Sequence, residues 1–426
     1  MRRILIWRKP LKGSDIDIFN RTEYDSIYSL AFSVSKWKNV NWGNKLWFQG
    51  ICSAVDVPEN SITYGTNETA DQINDNYDLI IYPMANFFSE EFCSDTSALV
   101  KAFSGIRIPV YVIACGAQAK DYDHLEELVK RIGDPASAFI ESIYRTGGEF
   151  ALRGFFTKEF FNRLGFTGAV VTGCPSLFQM GPELSVNKNN DEKNIKPIIN
   201  GRIESVEEIL ESMPESTYFS QDVFFDCLYD PDYFKRKGFK NDVRFFRTHG
   251  IAQADLLAND RIKMIIDMNE WFNYIRSHSF NYSFGTKVHG SIMPILAGIP
   301  ATMIATDSRT REIAEFFGIP MQLAKLGHRY SKEDLLEAYE EADYSEFNSR
   351  FKGLYERFET FLREHDIVDS INTSNRFFYD TDRFPSESFK PNKEEFAKYA
   401  KKLRIERPIL AAASLALDLR SGGRKR

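Results

Sequence analysis

The sequence FGTKVHGSIMPILAGI, residues 284–299, constrains the fold of this chain more than any other stretch. Residues 281–284 predict a short strand, residues 291–298 an apolar helix, and residues 301–305 a second strand. This order places His289 at the carboxyl end of a parallel sheet, where open α/β sheets bind ligands. A helix start adds free N–H groups and a positive dipole end, both of which favour an anion.

Short apolar runs bounded by turn residues recur along the first half of the chain. They are typical of strands buried on both faces, and they occupy residues 4–7, 79–82, 110–114, 150–152 and 169–172. Helical patterns lie between them, at residues 123–132 and 158–164. The alternation predicts a doubly wound α/β fold.

A length of 426 residues indicates two domains of ordinary size. The polar segment 187–196 is the best linker candidate. We predict an N-terminal Rossmann-like domain over residues 1–186 and a C-terminal Rossmann-like domain over residues 197–375, with a helix over 261–277. Residues 376–426 form an irregular and helical extension. Two such domains facing across a cleft make a GT-B-like arrangement.

The net charge, the cysteine pattern and the lengths of the apolar runs argue against several classes of protein. The net charge of −6 argues against nucleic acid as a partner. The five cysteines form no CxxC pair, which predicts reduced thiols in a cytoplasmic protein and no zinc framework. No apolar run reaches the length that spans a bilayer.

The end of the chain, residues 398–426, carries nine Lys or Arg against two acids. A basic amphipathic helix of this kind can lie on the inner face of an anionic membrane as a peripheral contact. The alternative is a C-terminal helix docked on its own domain, and we favour that alternative.

Four short sequence blocks follow one another along the chain in an order that characterises a known family. Residues 41–50 contain NWGN at the entry to a helix, and residues 151–176 combine ALRG, LGF and VTGCPS. Residues 287–300 combine KVHG with AGIP, and residues 307–320 combine DSR with FGIP. In this order the blocks resemble the polysaccharide pyruvyl transferase family.

Members of that family transfer pyruvate from phosphoenolpyruvate to two hydroxyls of one sugar, which forms a cyclic ketal. They act on glycans or lipid-linked saccharide precursors of capsules, exopolysaccharides and cell walls. The resemblance implies a GT-B-like fold, phosphoenolpyruvate as donor substrate and a saccharide or lipid-linked saccharide as acceptor. It implies no cofactor, no metal and no nucleotide donor.

The chain departs from the family pattern at several positions. Lys287 stands where the family has arginine, and Arg309 stands where it has lysine. Residues 84–86 are Met-Ala-Asn in place of Gly-Gly-Asn, and Cys174 replaces an acid. Charge is kept at both basic positions, but the planar guanidinium fork has moved from one to the other.

The resemblance assigns roles to a small set of residues. Phosphoenolpyruvate carries a carboxylate and a phosphate, so its pocket needs several cations, for which Arg153, Lys287 and Arg309 are the candidates. Proton transfer near neutral pH suits histidine, and we assign His289 as general acid/base. Neighbouring cations are expected to lower the pKa of His289, and a bound trianion is expected to raise it.

Three weaker candidates could bind the acceptor: Asn44, Asn86 and His249. Asn44 has an alternative use as a helix cap, which the residue type favours. His249 has an alternative as an ordinary surface histidine.

Two other functions remain open from the sequence. One is a GT-B glycosyltransferase that uses a sugar nucleotide, since the two-domain layout would be shared. The other is a non-catalytic family member that only binds glycan, which the changes at residues 84–85 and at Cys174 would motivate.

Overall fold

The computed structural model describes residues 1–7, 41–188, 194–201, 206–222, 242–243, 246, 250–371 and 393–420. Within these ranges the strands form two six-stranded sheets, and every recorded strand pair is parallel. Helices connect the strands in both sheets. The expected pair of Rossmann-like units in a GT-B-like arrangement is therefore confirmed.

The first sheet has the strand order β2-β1-β3-β4-β5-β6. Its strands are β1 (Arg2–Ile6), β2 (Asn60–Tyr64), β3 (Leu79–Pro83), β4 (Val110–Cys115), β5 (Glu149–Leu152) and β6 (Val170–Val171). Strands β3 and β4 are buried at every position, as their unbroken apolar sequences predict.

The helices of the first half cover both faces of this sheet. They are α1 (Asn44–Val55), α2 (Ala70–Asn76), α3 (Ser97–Phe103), α4 (Leu125–Tyr144) and α5 (Phe155–Arg163), with 3-10 turns at Tyr122–His124 and Pro175–Met180. Thr69 and Gln72 form a capping box at the start of α2. Helix α1 is buried along nearly its whole length, which fits a helix enclosed between the two halves.

The second sheet has the strand order β12-β11-β10-β7-β8-β9. Its strands are β7 (Pro197–Asn200), β8 (Thr217–Phe219), β9 (Ile262–Lys263), β10 (Tyr282–Gly285), β11 (Ala301–Ala305) and β12 (Met321–Leu323). The chain winds outwards in both directions from the adjacent strands β7 and β10. A switch point of this kind opens a ligand crevice at the carboxyl ends of the strands.

The helices of the second half include the segment around His289. They are α6 (Glu207–Ser212), α7 (Gly250–Ala258), α8 (Met268–Ser277), α9 (Val288–Leu296), α10 (Ser308–Phe317), α11 (Lys332–Glu341), α12 (Ser345–Glu364) and α13 (Lys393–Arg420). Helix α9 begins earlier than the sequence predicted, so His289 lies in its first turn.

The predicted helix over residues 261–277 is wrong in its first part. Residues 262–263 form strand β9, and the helix begins only at Met268. The N-cap is Asp267, whose side chain accepts a hydrogen bond from the N–H of Glu270 at 2.7 Å. Ile262, Met264 and Ile266 are buried in alternation, which is the period of a strand.

Helix α12 follows the second sheet but packs on the first half of the molecule. Phe358 of α12 stacks on Phe178 with ring centroids 5.1 Å apart. Just beyond the helix, the carbonyl of Ile367 accepts a hydrogen bond from Asn60 Nδ2 at 3.0 Å. The predicted second domain therefore contributes a helix to the core of the first half, while its boundaries at residues 197 and 375 stay a prediction.

Helix α13 packs against α7, and Phe396, Ala400, Leu403 and Leu410 are buried. This packing agrees with the docked alternative for the C-terminal segment. In the part of the chain that the structure describes, no helix combines the length and the hydropathy that crossing a bilayer requires.

Candidate active site

The carboxyl ends of the two sheets meet through the loops after β4 and β11. The N–H of Ala119 donates to Ser308 Oγ at 2.9 Å, and the N–H of Ser308 donates to the carbonyl of Ala119 at 3.2 Å. Gln118 extends this contact, since its Nε2 donates to Asp307 Oδ2 at 3.3 Å. Side chains that follow strands of either sheet can therefore share one site.

His289 lies at the switch point of the second sheet. The turn before it requires Gly285, which has a φ of +155° and whose Cβ would stand 1.7 Å from the carbonyl oxygen of Asn200. The side chain of Asn200 holds the turn by accepting the N–H of Lys287 at 2.9 Å. His289 is 6% exposed, and its buried Nε2 has no hydrogen-bond partner among the described residues.

Two arginines, one from each half of the chain, lie near enough to the imidazole for their charges to lower its pKa. Arg153 follows β5, is 2% exposed, and has no partner for Nε or Nη2 among the residues described. Arg309 lies in the first turn of α10, where Nη2 donates to Asp307 Oδ2 at 3.1 Å. The buried Nε of Arg309 likewise has no partner within the described ranges. The structure thus brings the predicted catalytic residue, His289, together with two of the three predicted donor-binding residues, Arg153 and Arg309.

Burial and charge act in the same direction on His289. Burial, and then the positive charges of Arg153 and Arg309, lower the pKa of the imidazole well below its ordinary value. The expected effect of neighbouring cations is therefore confirmed, although burial is the larger cause. The imidazole is neutral at neutral pH in the free protein, so it can accept a proton.

Lys287 is engaged elsewhere in the free protein. Its Nζ forms an ion pair with Asp222 Oδ2 at 2.5 Å, and about a quarter of each side chain is exposed. The backbone of Lys287 is extended, and it is the N-cap residue of α9. An anion at His289 would have to share or displace Asp222 to bind this ammonium group.

Glu312 of α10 is a site residue that sequence reasoning missed. It is 2% exposed and accepts hydrogen bonds from the N–H of Thr157 at 3.0 Å and from Thr157 Oγ1 at 2.8 Å. Burial raises the pKa of its carboxyl to about 7, against the opposing effect of Thr157 and Arg153. No signal in the sequence could reveal this residue, because its partner lies 155 positions away.

Gln221, just after β8, is the second residue that was missed. It is 2% exposed and lies beside Gly43 and Gly290. Cys174, in the position of the family's acid, is buried, with its Sγ 3.0 Å from Ser176 Oγ. Burial lowers the pKa of Arg153, and both Cys174 and the Glu312 carboxyl oppose that effect.

The weaker acceptor candidates lie in different places. Asn44 is the first residue of α1, and Gly43 occupies the N-cap position. Asn86 Nδ2 donates to Gln118 Oε1 at 2.6 Å, which connects it to the loop contact between the halves. His249 lies outside the described residues.

A cavity of about 500 Å³ opens next to Gln118 and Asp307. Its lining is polar and charged and includes Ser89, Glu90, Lys120, His124, Glu127 and Arg131. It adjoins the site around His289 through Asp307, which also binds Arg309. Among the described residues, no group of three His, Cys, Asp or Glu side chains could hold a metal ion.

Several solved structures match this chain with low sequence identity and low TM-scores. S. aureus MnaA in its co-structure with UDP is 9% identical, with a TM-score of 0.43 over 86% of this chain and 98% of that chain. UDP-GlcNAc 2-epimerase from Neisseria meningitidis, bound to UDP-GlcNAc, is 10% identical, with a TM-score of 0.36 over 83% of this chain and 94% of that chain. The glycosyltransferase SnogD from Streptomyces nogalater is 10% identical, with a TM-score of 0.26 over 74% of this chain and 75% of that chain. Similarities this low bear on neither substrate nor site.

No curated protein matches the sequence. The family model for polysaccharide pyruvyl transferase matches residues 11–308. That range contains Arg153, Lys287 and His289 and ends one residue before Arg309. Since it covers well over half of the 426 residues, the chain belongs to the polysaccharide pyruvyl transferase family.

Proposed function

We propose that this protein transfers pyruvate from phosphoenolpyruvate to two hydroxyls of one sugar and forms a cyclic ketal. One observation carries the proposal. A buried imidazole with a free Nε2 is flanked by two arginines that also have N–H groups without acceptors in the described part of the chain. Buried donors of this kind are rarely left unpaired, and an anionic ligand would satisfy them.

Phosphoenolpyruvate offers the hydrogen-bond acceptors that the unpaired N–H groups of this pocket require. Its carboxylate and phosphate offer acceptor oxygens but few donors, and each group suits a planar guanidinium fork. Arg153 and Arg309 are the proposed ligands, with Lys287 joining by exchange from Asp222. The amino end of α9 adds a positive dipole end beside His289.

The proton balance of the reaction suits a histidine that begins neutral. Binding of a trianion raises the pKa of His289, so the imidazole takes up a proton. His289 then delivers a proton to the methylene carbon of phosphoenolpyruvate, which becomes the methyl group. The resulting cationic centre is attacked by one sugar hydroxyl, whose proton returns to the imidazole. Phosphate leaves, and the second hydroxyl closes the ketal as its proton passes to phosphate.

The acceptor saccharide is proposed to bind in the cleft between the two halves. The C-terminal half supplies His289 and Arg309 for the donor, and the N-terminal half is proposed to bind most of the saccharide. The 500 Å³ cavity beside Gln118 and Asp307 could hold sugar residues next to the reacting one. Free and lipid-linked saccharides share this chemistry, and Asn44 and Asn86 remain acceptor candidates.

A location at the inner face of a membrane is a separate proposal. Helix α13 exposes Ile405, Ile409 and Leu415 among basic residues, which would suit an anionic lipid surface. Its other face is already docked against α7. Equal liposome flotation of the full chain and a chain cut at Pro408 would rule out membrane contact through this segment.

The function is tested with phosphoenolpyruvate and a panel of galactosyl and N-acetylhexosaminyl saccharides. Phosphate release coupled to acceptor mass gain equal to phosphoenolpyruvate less phosphoric acid would identify the reaction. A thermal-shift comparison with sugar nucleotides provides the control. Stabilisation by a sugar nucleotide and not by phosphoenolpyruvate would favour a glycosyltransferase instead.

A further inference from the structure

The side chain of Gln221 is buried with its amide unsatisfied. It is 2% exposed, and within the described ranges neither Nε2 nor Oε1 has a hydrogen-bond partner. An amide buried without partners is destabilising, and native proteins rarely retain one without a reason. A group that is absent from the free protein would be expected to bind it.

Two glycines make the space that holds this amide. A Cβ on Gly43 would stand 2.0 Å from Gln221 Oε1, and a Cβ on Gly290 would stand 2.6 Å from Gln221 Nε2. Gly43 precedes α1 in the first half, and Gly290 lies in the first turn of α9 in the second half. The amide is therefore enclosed where the two halves meet.

The same contacts place Gln221 beside His289. The point that a Cβ on Gly43 would occupy is 3.0 Å from His289 Cβ, so Gln221 and His289 are neighbours. The carbonyl of Gln221 accepts the N–H of Trp42 at 2.8 Å, which fixes its backbone against the first half. A ligand group that reaches this amide also lies next to His289.

The chemistry of an amide selects the kind of ligand group. A glutamine offers one acceptor and two donors, and rotation about its last torsion exchanges their positions. A carboxylate or a dianionic phosphate only accepts hydrogen bonds. A sugar hydroxyl both donates and accepts, so it can satisfy both ends of the amide, which neither anionic group of phosphoenolpyruvate can do.

We infer that Gln221 binds a hydroxyl of the acceptor sugar and holds it beside His289. This inference rests on the proposed function, because it takes the acceptor to be a saccharide. Gln221 is then a substrate-binding residue on the acceptor side, contributed by the second sheet. Phosphoenolpyruvate binding depends on the cationic groups and is independent of this amide.

The test uses Gln221→Met, which keeps the length of the side chain and removes both polar ends. With the best acceptor of the saccharide panel, KM for the acceptor should rise roughly 10- to 100-fold, because a lost hydrogen bond to a buried group costs about that much. KM for phosphoenolpyruvate should stay within about twofold of the wild-type value. An unchanged acceptor KM would overturn the inference.

Monodeoxy analogues of the same acceptor locate the hydroxyl. The wild type should lose affinity for one analogue in particular, and Gln221→Met should show no further loss with that analogue. Strictly additive losses for every analogue would mean that the amide and the hydroxyls act independently, which contradicts the inference.

Gln179→Met is the matched control. Gln179 is also buried, at 5% exposed, and its Oε1 likewise has no partner among the described residues, but its Nε2 donates to the carbonyls of Leu46 and Ser176, both at 3.1 Å. Its replacement should lower the Tm and leave the acceptor KM unchanged. Gln221→Met should have a Tm equal to or above that of the wild type, since it removes an unsatisfied buried group.

The Tm measurement separates failure of this inference from failure of the proposed function. A wild-type protein that neither binds phosphoenolpyruvate nor modifies any saccharide would refute the function. The Tm of Gln221→Met would still decide the status of the amide. A fall as large as that of Gln179→Met would show that the amide is bonded within the protein and would overturn the inference.

Discussion

Arg153 and His289 come from opposite halves of the chain, and the positive charge of Arg153 lowers the pKa of the buried imidazole. Arg153 follows the fifth strand of the first sheet, whereas His289 begins the helix at the switch point of the second. The pocket therefore exists only when the two halves are packed together. Burial, and then the charges of Arg153 and Arg309, keep the pKa of the imidazole well below its ordinary value in the free protein.

Removal of the Arg153 guanidinium should strongly weaken donor binding while the fold is retained. In Arg153→Met the affinity for phosphoenolpyruvate should fall roughly 100-fold, because the lost hydrogen bonds are charge-assisted and buried. Titration calorimetry measures the effect directly. Arg311→Met is the control, since Arg311 pairs with Glu315 at 2.7 Å and lies over the ring of Tyr122. Equal losses in both variants would contradict a specific role for Arg153.

Binding of phosphoenolpyruvate should be accompanied by proton uptake at neutral pH. The free imidazole of His289 has a lowered pKa, and a bound trianion raises it, so the complex holds more protons than its separate components. Calorimetry in buffers of different ionisation enthalpy measures the uptake. His289→Gln should bind the donor with less uptake. Identical uptake in the two proteins would show that another group takes the proton.

The ion pair between Lys287 and Asp222 should compete with the donor. If the ammonium group joins the pocket by leaving Asp222, Asp222→Asn should tighten phosphoenolpyruvate binding by up to about fivefold, which is the range for a partly exposed pair. Lys287→Met should weaken it, and Lys287→Arg should preserve it. Unchanged affinity in Lys287→Met would remove this residue from the donor site.

Much of the fold follows from local sequence patterns. Strands β3 and β4 and the unit around His289 have unbroken apolar runs or clear boundaries, so their positions could be predicted. Short strands such as β8 (Thr217–Phe219) and β12 (Met321–Leu323) contain too few residues to show a period and were missed. Their pairing with neighbouring parallel strands defines them, and that pairing is not local.

Some residues of the candidate site could likewise be predicted from the sequence, and others could not. His289 and Arg153 each precede a glycine, and the family resemblance made them and Arg309 candidates. Glu312 was missed because α10 buries it against Thr157, a contact between distant parts of the sequence. The engagement of Lys287 with Asp222 could not be predicted for the same reason.

Glu312 should make the protein less stable as pH rises from about 5 to about 7. Burial raises its folded-state pKa from 4.5 to about 7, so the folded protein holds a proton that the unfolded chain has already lost. The contribution to stability is complete below the unfolded pKa and is lost as pH rises through the folded pKa. Glu312→Gln, neutral throughout, should flatten this part of the profile in denaturant unfolding. An unaltered slope would contradict the assignment.

The most direct test of the account compares ketal formation by the wild type and His289→Gln at saturating phosphoenolpyruvate and acceptor. His289→Gln should still bind phosphoenolpyruvate, because Arg153 and Arg309 remain. This variant should release no phosphate and add no pyruvyl mass to the acceptor that the wild type modifies. Ketal formation by His289→Gln at the wild-type rate would show that the imidazole does not transfer the proton, and the central claim would fail.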